Sequence, residues 1–350
     1  MRKIIGFVLL ALLVGCAAWL LLHSDSDRGY KVRWRFNDIP EQTAVVDGIR
    51  WHYGVSDGQA VVIKACRCGS GPFSEQVTVP ATLGGRPVTT LYGSVFRSDD
   101  PVRKLTIPEG VTDIEVSALS GVHLRTLSLP ASVLNLELCG HVDTEYVVSP
   151  DNPRYCARNG FLCTKDGTVL LKGTDGDAAI PDGVVKIDDT AFWLRDVRSV
   201  TLPASVESIG TFAFRSCTNL TSVVLPASVK EIGAFAFQDC TALEQVELSP
   251  GLTDIPAYAF EGCTSLKTIV IPDSVTNISY YAFANCTNVE SATLPASVKT
   301  IGHHAFSCCG FKMRLKTEAL DVQIAPNAFS LTNDLSAYRG ILPFQLKYYR

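Results

Sequence analysis

The stretch from Leu220 to Ala242 reads LTSVVLPASVKEIGAFAFQDCTA, and it is one copy of a 23-residue unit that returns along the chain. Each copy places Ile five residues before a Phe, Ala one residue before it and Cys three residues after it. The columns are Ile209, Ile232, Ile255, Ile278 and Ile301; Ala213, Ala236, Ala259, Ala282 and Ala305; Phe214, Phe237, Phe260, Phe283 and Phe306, with Phe329 one step further; and Cys217, Cys240, Cys263, Cys286 and Cys309. Self-similarity at a fixed period of this length indicates a repeat architecture.

The pattern inside the unit predicts its local structure. Leu220 to Leu225 alternates like a short strand, and Pro226 ends it because proline cannot donate to a ladder. Val229 to Gly233 predicts a second extended piece that closes in a glycine turn. Ala236 to Cys240 predicts one tight helical turn. A single unit cannot bury its own apolar face, so the units must stack into a solenoid.

Earlier copies of the unit are looser. Their strand ends are marked by Val79-Pro80, Ile107-Pro108, Leu129-Pro130 and Ile180-Pro181. Together with the regular copies they predict about ten coils, which at about 4.8 Å per stacked strand make an array about 48 Å long.

The motif Leu-Pro-x-x-Val-x-x-Ile-Gly-x-x-Ala-Phe-x-x-Cys resembles the BspA-like, treponemal-type leucine-rich repeat family, and the resemblance covers Val79 to Phe329. It implies a β-rich leucine-rich-repeat solenoid, with a short parallel β-strand ladder, tight turns and short helical turns. It also implies a bacterial (less often protist) surface or envelope protein that binds proteins or host matrix. Asp47 to Lys64 looks like the family's N-terminal β element, and Asp151 to Lys172 looks like its inserted hairpin.

The chain departs from the family motif at a few places. Ser249-Pro250 shifts the proline by one residue, and Pro256 and Ser279 replace the turn glycine. These departures are modest, so the predicted fold stands.

These features predict a division of the chain into four parts. Residues 1–23 are a signal peptide or signal anchor, and residues 24–77 are a linker and N-terminal β cap. Residues 78–330 are the solenoid, with the inserted hairpin near 151–172. Residues 331–350 are a C-terminal tail.

The N-terminus predicts export. Met1-Arg2-Lys3 precedes an apolar run of 19 residues from Ile4 to Leu22, long enough as a helix to span about 28 Å, near the thickness of a bilayer core. Leu13 to Cys16 resembles a lipobox, in which Cys16 is lipidated. An uncleaved transmembrane anchor fits the run equally well. Either interpretation predicts an extracytoplasmic protein, on the cell surface or in the periplasm, that is tethered to the membrane by its N-terminus.

Composition and motifs argue against several other functions. The formal net charge is -4 and no basic block is present, which argues against a nucleic-acid partner. The sequence contains no nucleophile elbow, zinc-protease motif or phosphate loop, and no metal-type Cys-x-x-Cys pair. We therefore expect no enzyme activity, no metal and no cofactor.

Two groups of cysteines differ in their predicted roles. The repeated column fills a core position and is expected to hold buried, inert thiols. Asn159-Gly160 is a two-residue hairpin signal, and pairing outward from it sets Cys156 opposite Cys163. The family resemblance leads one to expect Ser and Tyr at these two places. A cross-strand disulfide between Cys156 and Cys163 is therefore a candidate in an oxidising compartment. Cys66 and Cys68 stay unassigned.

Two surfaces are candidates for binding. The strand-ladder face is the outward side of the first strand of each unit, and we expect its alternating charges to pair laterally. The aromatic stripe recurs two residues before the core Phe. Its rings could stack on sugars or anchor a protein, or they could pack on one another, which is the interpretation we favour. The strand-ladder face comprises Arg198, Glu244, Glu247, Lys267 and Glu290, and the aromatic stripe comprises Phe212, Phe235, Tyr258, Tyr281 and His304.

The sequence thus predicts a non-catalytic, extracytoplasmic protein that binds a protein or host-matrix ligand through its solenoid surface. An envelope scaffold without a host-facing ligand is the alternative. An enzyme whose site is scattered over loops is a distant third.

Overall fold

The computed structural model describes residues 40–67, 74–137, 144–310, 314–317 and 322–330. Over these residues the chain is a β-solenoid of about nine turns, built from parallel strands with no helix. The chain divides into two compact units: unit 1 is Met1–His123 with Ser132–Val142, and unit 2 is Leu124–Ala131 with Asp143–Arg350.

The described strands are short, and most contain two to five residues. The first fourteen are β1 (Gln42–Val46), β2 (Ile49–Ser56), β3 (Gln59–Arg67), β4 (Gln76–Thr78), β5 (Thr82–Leu83), β6 (Arg86–Leu91), β7 (Lys104–Thr106), β8 (Asp113–Ile114), β9 (Thr126–Leu129), β10 (Asn135–Leu136), β11 (Glu145–Val148), β12 (Tyr155–Arg158), β13 (Phe161–Thr164) and β14 (Val169–Lys172). The next fourteen are β15 (Gly176–Ala179), β16 (Lys186–Ile187), β17 (Val197–Thr201), β18 (Ser208–Ile209), β19 (Ser222–Val224), β20 (Glu231–Ile232), β21 (Gln245–Glu247), β22 (Asp254–Ile255), β23 (Thr268–Val270), β24 (Asn277–Ile278), β25 (Ser291–Leu294), β26 (Thr300–Ile301), β27 (Arg314–Thr317) and β28 (Gln323–Ile324).

Unit 1 begins with an antiparallel element. β1 pairs with β2 and β2 pairs with β3, through turns at Asp47-Gly48 and Asp57-Gly58 in which all four residues have positive φ. Such turns match the twist of the strands they join. β3 then pairs in parallel with β6, β6 with β8 and β8 with β10, and β4 pairs with β7. The β element predicted at Asp47 to Lys64 is therefore present.

Unit 2 contains two series of strands in parallel register. The first ladder is the series β15, β17, β19, β21, β23, β25 and β27, and the second ladder is the series β14, β16, β18, β20, β22, β24, β26 and β28. Paired residues occupy equivalent positions in successive 23-residue repeats; Ile278, for example, pairs with Ile301. The 23-residue period of the sequence is thus the length of one coil.

The core of unit 2 is formed by the repeated columns. The core phenylalanines stack ring on ring, with neighbouring centroids 4.8 to 5.4 Å apart, from Phe192 to Phe329. Phe161 of the inserted hairpin meets Phe192 edge-on at 6.2 Å. Rings at these separations add specific contact energy to the burial of apolar area, so the stack joins each coil to the next.

The predicted helical turn at Ala236 to Cys240 is wrong in detail. In each 23-residue repeat of unit 2 this segment forms successive tight turns and no helix. Two residues four places apart are left-handed, such as Phe235 at φ 60° and Asp239 at φ 59°. The N–H groups of Phe235, Phe237 and Asp239 donate to Ala257, Ala259 and Glu261 of the next coil, at 3.1, 2.8 and 2.8 Å. We call this series of inter-coil bonds the turn ladder.

The inserted hairpin has the predicted register. β12 pairs antiparallel with β13, with Arg158 opposite Phe161 and Cys156 opposite Cys163. Asn159 and Gly160 form the turn with φ of 51° and 81°. The Gly160 carbonyl accepts a hydrogen bond of 3.0 Å from the N–H of Tyr146 in β11, which fixes the tip of the hairpin beside that strand.

Some predicted features lie outside the described residues: the signal segment 1–23 with Cys16, Cys68, and the tail 331–350. Among the residues that are described, no helix is long and apolar enough to cross a membrane.

Candidate binding surface

The strand-ladder face lies where the sequence predicts it. In β19 and β23 the middle residue is buried and its two neighbours are exposed, so alternate side chains point outward. All five predicted residues of this face, Arg198, Glu244, Glu247, Lys267 and Glu290, are exposed. The strands of this face pair as β15 with β17, β19 with β21 and β23 with β25, so within each pair the side chains project from a regular backbone.

Lateral pairing of charges is confirmed at one step of this face. The Lys267 ammonium forms an ion pair with the Glu244 carboxylate of the preceding coil, and both side chains are more than half exposed. Such a solvent-exposed pair contributes little stability. Because both side chains are more than half exposed, their charges stay accessible to a partner.

Two exposed valines lie at outward positions of the same face, as strand alternation predicts, although they are not among the five residues named for it above. Val224 is 54% exposed and Val270 is 60% exposed, and they occupy the column that contains Glu247. Large exposed apolar side chains on a sheet surface can contribute contact area to a protein interface. A β-branched residue at an outward strand position is the sequence signal that identifies them.

The aromatic stripe is a stack of rings. Successive centroids from Phe212 through Phe235, Tyr258 and Tyr281 to His304 lie 4.6 to 4.9 Å apart, and the planes are within 23° of parallel. The interpretation that the rings pack on one another is therefore confirmed. All five residues have φ between 56° and 60°.

Stacking limits what the stripe can bind. Each inner ring has both faces covered by its neighbours, so the stacking on sugar rings considered above is not open to Phe235, Tyr258 and Tyr281. Phe212 is 6% exposed, and the Arg215 guanidinium lies 5.3 Å from its ring centroid. The inner rings leave only their edges and the hydroxyl groups of Tyr258 and Tyr281 for a partner.

Tyr280 is a surface aromatic that the repeat pattern did not identify. It is 50% exposed, and its ring stands at 88° to those of Tyr258 and Tyr281, with centroids 5.2 and 6.4 Å away. Its signal in the sequence is the doublet Tyr280-Tyr281, where other coils have a small residue or His303 before the stripe.

A charged cluster lies beside the stripe. Burial raises the pKa of the Asp239 and Glu261 carboxyls, and the positive charge of Arg215 opposes that rise. Burial also lowers the pKa of the Arg215 guanidinium. The Gln238 Nε2 group donates to the Glu261 carboxylate at 2.6 Å. The arrangement holds two half-buried carboxyls near one cation.

The repeated cysteines are buried, as predicted. Each thiol donates to the carbonyl oxygen of a core Phe in the preceding coil: Cys217 to Phe192, Cys240 to Phe214, Cys263 to Phe237, Cys286 to Phe260 and Cys309 to Phe283, at 3.1 to 3.2 Å. Burial raises the pKa of the Cys217, Cys240, Cys263 and Cys286 thiols. A protonated and inaccessible thiol reacts slowly, so the column is structural.

Cys156 and Cys163 face each other across the hairpin as free thiols. The Cys156 thiol donates to the Thr164 carbonyl at 3.1 Å. Burial, with the neighbouring Cys156 as a smaller contribution, raises the pKa of Cys163 to about 12. The register permits the candidate disulfide, which stays a prediction.

The adjacent histidines do not converge on a common point. Nδ1 of His303 lies 2.9 Å from the Pro326 carbonyl oxygen, and Nδ1 of His304 lies 3.1 Å from the Ser330 hydroxyl. Within the part of the chain that the structure describes, no cluster of three or more His, Cys, Asp or Glu side chains could hold a metal ion.

Parallel ladders in 23-residue register around a phenylalanine stack define a leucine-rich-repeat solenoid. The family profile described as "BspA type Leucine rich repeat region" matches six copies in residues 71–139 and 180–336, more than half of the chain. The chain therefore belongs to the BspA-type leucine-rich repeat family. Leucine-rich-repeat solenoids are typically non-catalytic, and leucine-rich repeat proteins generally mediate protein interactions.

Solved structures of bacterial leucine-rich repeat proteins resemble the chain. A leucine-rich repeat protein from Eubacterium ventriosum superimposes with a TM-score of 0.54 at 19% identity, over 84% of this chain and 96% of that one. A leucine rich cell surface protein from Faecalibacterium prausnitzii has a TM-score of 0.37 at 21% identity, over 80% of this chain and 96% of that one. The first likeness supports the fold. No curated protein matches the chain significantly.

Proposed function

We propose that this chain is a non-catalytic protein-binding module on the extracytoplasmic side of a membrane, and that its strand-ladder face recognises a protein or host-matrix ligand. The observation that carries the proposal is the composition of that face. Val224, Glu247 and Val270 form one exposed column, with the Glu244–Lys267 pair beside it. Apolar contact area next to accessible charge is what a protein-recognition surface requires.

The aromatic stripe is the weaker candidate for the recognition surface. Its rings are used in contacts between coils, and Phe212 is almost fully buried. Removing such a ring would change stability as well as binding. Tyr280 at the edge of the stripe is its most accessible aromatic group, and it extends the candidate surface toward that side.

The proposed compartment rests on the N-terminal sequence. A basic start followed by 19 apolar residues directs export and supplies an anchor, either as a lipid on Cys16 or as an uncleaved span. If lipid is the anchor, Cys16→Ala abolishes processing and membrane attachment. An unchanged membrane fraction for that variant would rule out lipidation.

Binding can be tested by comparing two single-charge variants. The purified protein is immobilised and exposed to envelope extracts and to purified matrix proteins, and any retained protein is then titrated against each variant. Glu247→Ala is expected to weaken binding of that protein at least tenfold. Glu207→Ala removes an exposed carboxylate next to the second ladder and is expected to leave binding unchanged. Equal weakening by both variants, or no retained protein, counts against recognition by the strand-ladder face.

The envelope scaffold is the second candidate, and exposure on the cell distinguishes it. Protease added to intact cells is expected to cleave the solenoid if it is on the surface. Protection until the envelope is permeabilised would place it in the periplasm, and its partners would then be envelope proteins.

A further inference from the structure

The second ladder of unit 2 is interrupted at one junction among its described strands. Backbone pairing runs from β14 through β16 and β18 to β20, and again from β22 through β24 and β26 to β28. Within residues 144–310, all of which are described, β20 and β22 are neighbours in the coil order but are not paired. The first ladder is interrupted elsewhere, after β17 and after β21, and β19 and β21 are paired.

Pro256 is the first cause of this interruption. The N–H groups at the equivalent place, those of Gly233 and Gly302, donate to the preceding Ile carbonyls at 2.7 and 2.8 Å, and proline has no N–H. Ser279 occupies the same place with a Cβ, and its N–H still donates to the Ile255 carbonyl at 2.9 Å, so the missing N–H is what distinguishes Pro256.

The segment Ser249-Pro250-Gly251, which precedes β22, is the second cause of the interruption. Ser228 and Ser297 donate their hydroxyl hydrogens to Val carbonyls of the preceding coils at 2.7 and 2.8 Å. Ser249-Pro250-Gly251 replaces the usual Pro-Ala-Ser in the coil of β22, so this coil has Gly251 where the serine would be.

Repulsion between like charges is the third cause of the interruption. In the register of this ladder Ser208 lies opposite Glu231, and Asp254 lies opposite Asn277. Continuing that register would set Glu231 directly opposite Asp254, and both carboxylates are exposed. Like charges at directly opposed positions destabilise strand pairing.

The interruption removes an inter-coil hydrogen bond at the backbone N–H of Thr253. The N–H groups of Lys230, Thr276 and Lys299, which occupy the same place in other coils, donate to the preceding coil at 2.9, 2.8 and 2.8 Å. The Thr253 N–H makes no such bond within the described coils. At this junction the first ladder and the turn ladder still hold the two coils together, through β19 with β21 and through Phe237 with Ala259.

We infer that unit 2 opens locally between β20 and β22. The second strands of these two coils part, the turn-ladder bonds between the two coils break, and the coils bend about the intact first ladder. Local opening requires only the loss of the bonds that remain at one junction, and segments with few such bonds open at low free energy. This bending point lies in the coil that carries Glu244 and Glu247, but the inference does not depend on the proposed function.

Amide hydrogen exchange of the intact protein, followed by NMR, tests the inference. In the native protein the Thr253 amide is expected to exchange at least tenfold faster than the amides of Lys230 and Thr276. Equal protection of Thr253 and Thr276 would overturn the inference, since the ladder would then be closed in solution.

A repaired variant tests the opening itself. Pro256→Gly combined with Asp254→Asn restores the donor and removes the like charge. The Phe237 amide, which bonds across the same junction, is expected to exchange at least tenfold more slowly in this variant. Ser279→Gly is the matched control, because it changes a turn residue at a junction whose ladder is intact, and it is expected to leave Phe237 unchanged. An unchanged Phe237 rate in the repaired variant would contradict the inference.

Discussion

At the scale of single residues, the aromatic stripe combines a strained backbone with stabilising ring contacts. A residue other than glycine at φ near +57° is disfavoured, and unit 2 places an aromatic ring there in five successive coils. Each inner ring stacks on two neighbours, and such contacts contribute about 0.5–1.5 kcal/mol each beyond area burial. The stack therefore offsets the strain only while it is continuous.

Replacing one inner ring of the stripe is expected to destabilise the protein. Tyr258→Ala keeps the left-handed backbone and loses both stacking partners, so we expect a loss of about 1–3 kcal/mol in the free energy of unfolding. Tyr258→Phe keeps the ring and serves as the control, with a change below about 0.5 kcal/mol. Urea denaturation measures both. Wild-type stability of Tyr258→Ala, together with lost ligand binding, would instead make the stripe a binding surface.

The cysteine column gives a prediction on reactivity and pH. Iodoacetamide at neutral pH is expected to leave Cys217, Cys240, Cys263 and Cys286 unmodified in the folded protein and to modify all four in denaturant, as read by mass spectrometry. Burial raises their folded pKa above the ordinary value of 9.0. The unfolded state therefore releases these protons first, and stability should fall as the pH rises above about 9. Flat stability from pH 8 to 10.5 would contradict this.

The hairpin cysteines give a separate prediction. In an oxidising compartment Cys156 and Cys163 are expected to form a disulfide, so neither should be alkylated in denaturant until reductant is added. Cys66, which is half-buried and also free in the structure, is the internal comparison. Alkylation of both hairpin cysteines without reductant rules the disulfide out.

At the scale of one coil, the turn glycine is required by close approach. Gly233→Ala would place a Cβ 2.4 Å from the Thr211 nitrogen of the preceding coil, so we expect a loss of about 1–3 kcal/mol. The matched control is Ser279→Ala, because that place already carries a Cβ and loses only the 3.2 Å contact with Asn277, for less than about 1 kcal/mol. Thermal unfolding compares the two, and equal losses would remove the steric explanation.

The sequence predicts the elements of a coil well, with one exception. Proline and alternation placed the strands, and Asn159-Gly160 fixed the hairpin register, because both signals act within a few residues. The helical turn was wrong because Ala236 and Phe237 use their hydrogen-bonding groups between coils, which a local pattern does not reveal. Pro256 was visible as a departure, but its effect depends on a hydrogen bond between coils.

At the scale of the whole molecule, periodicity alone predicts the solenoid and the side of each strand that faces outward. It does not separate residues that pack from residues that bind. The recurrence of the aromatic stripe was compatible with binding and with packing, and packing, which the sequence favoured, is what the stacked rings show. Val224 and Val270 lie on the strand-ladder face because strand alternation turns them outward, and alternation does not show whether they bind.

The central claim is that the strand-ladder face contacts another protein, and site-specific photo-crosslinking in intact cells tests it most directly. p-Benzoylphenylalanine is placed at Glu247 or Val270 on the face and, as a control, at the exposed Lys299 next to the second ladder. We predict a covalent adduct to a second protein from Glu247 and Val270 and none from Lys299. Adducts from Lys299 alone, or none from the two face positions despite full incorporation, would contradict the account.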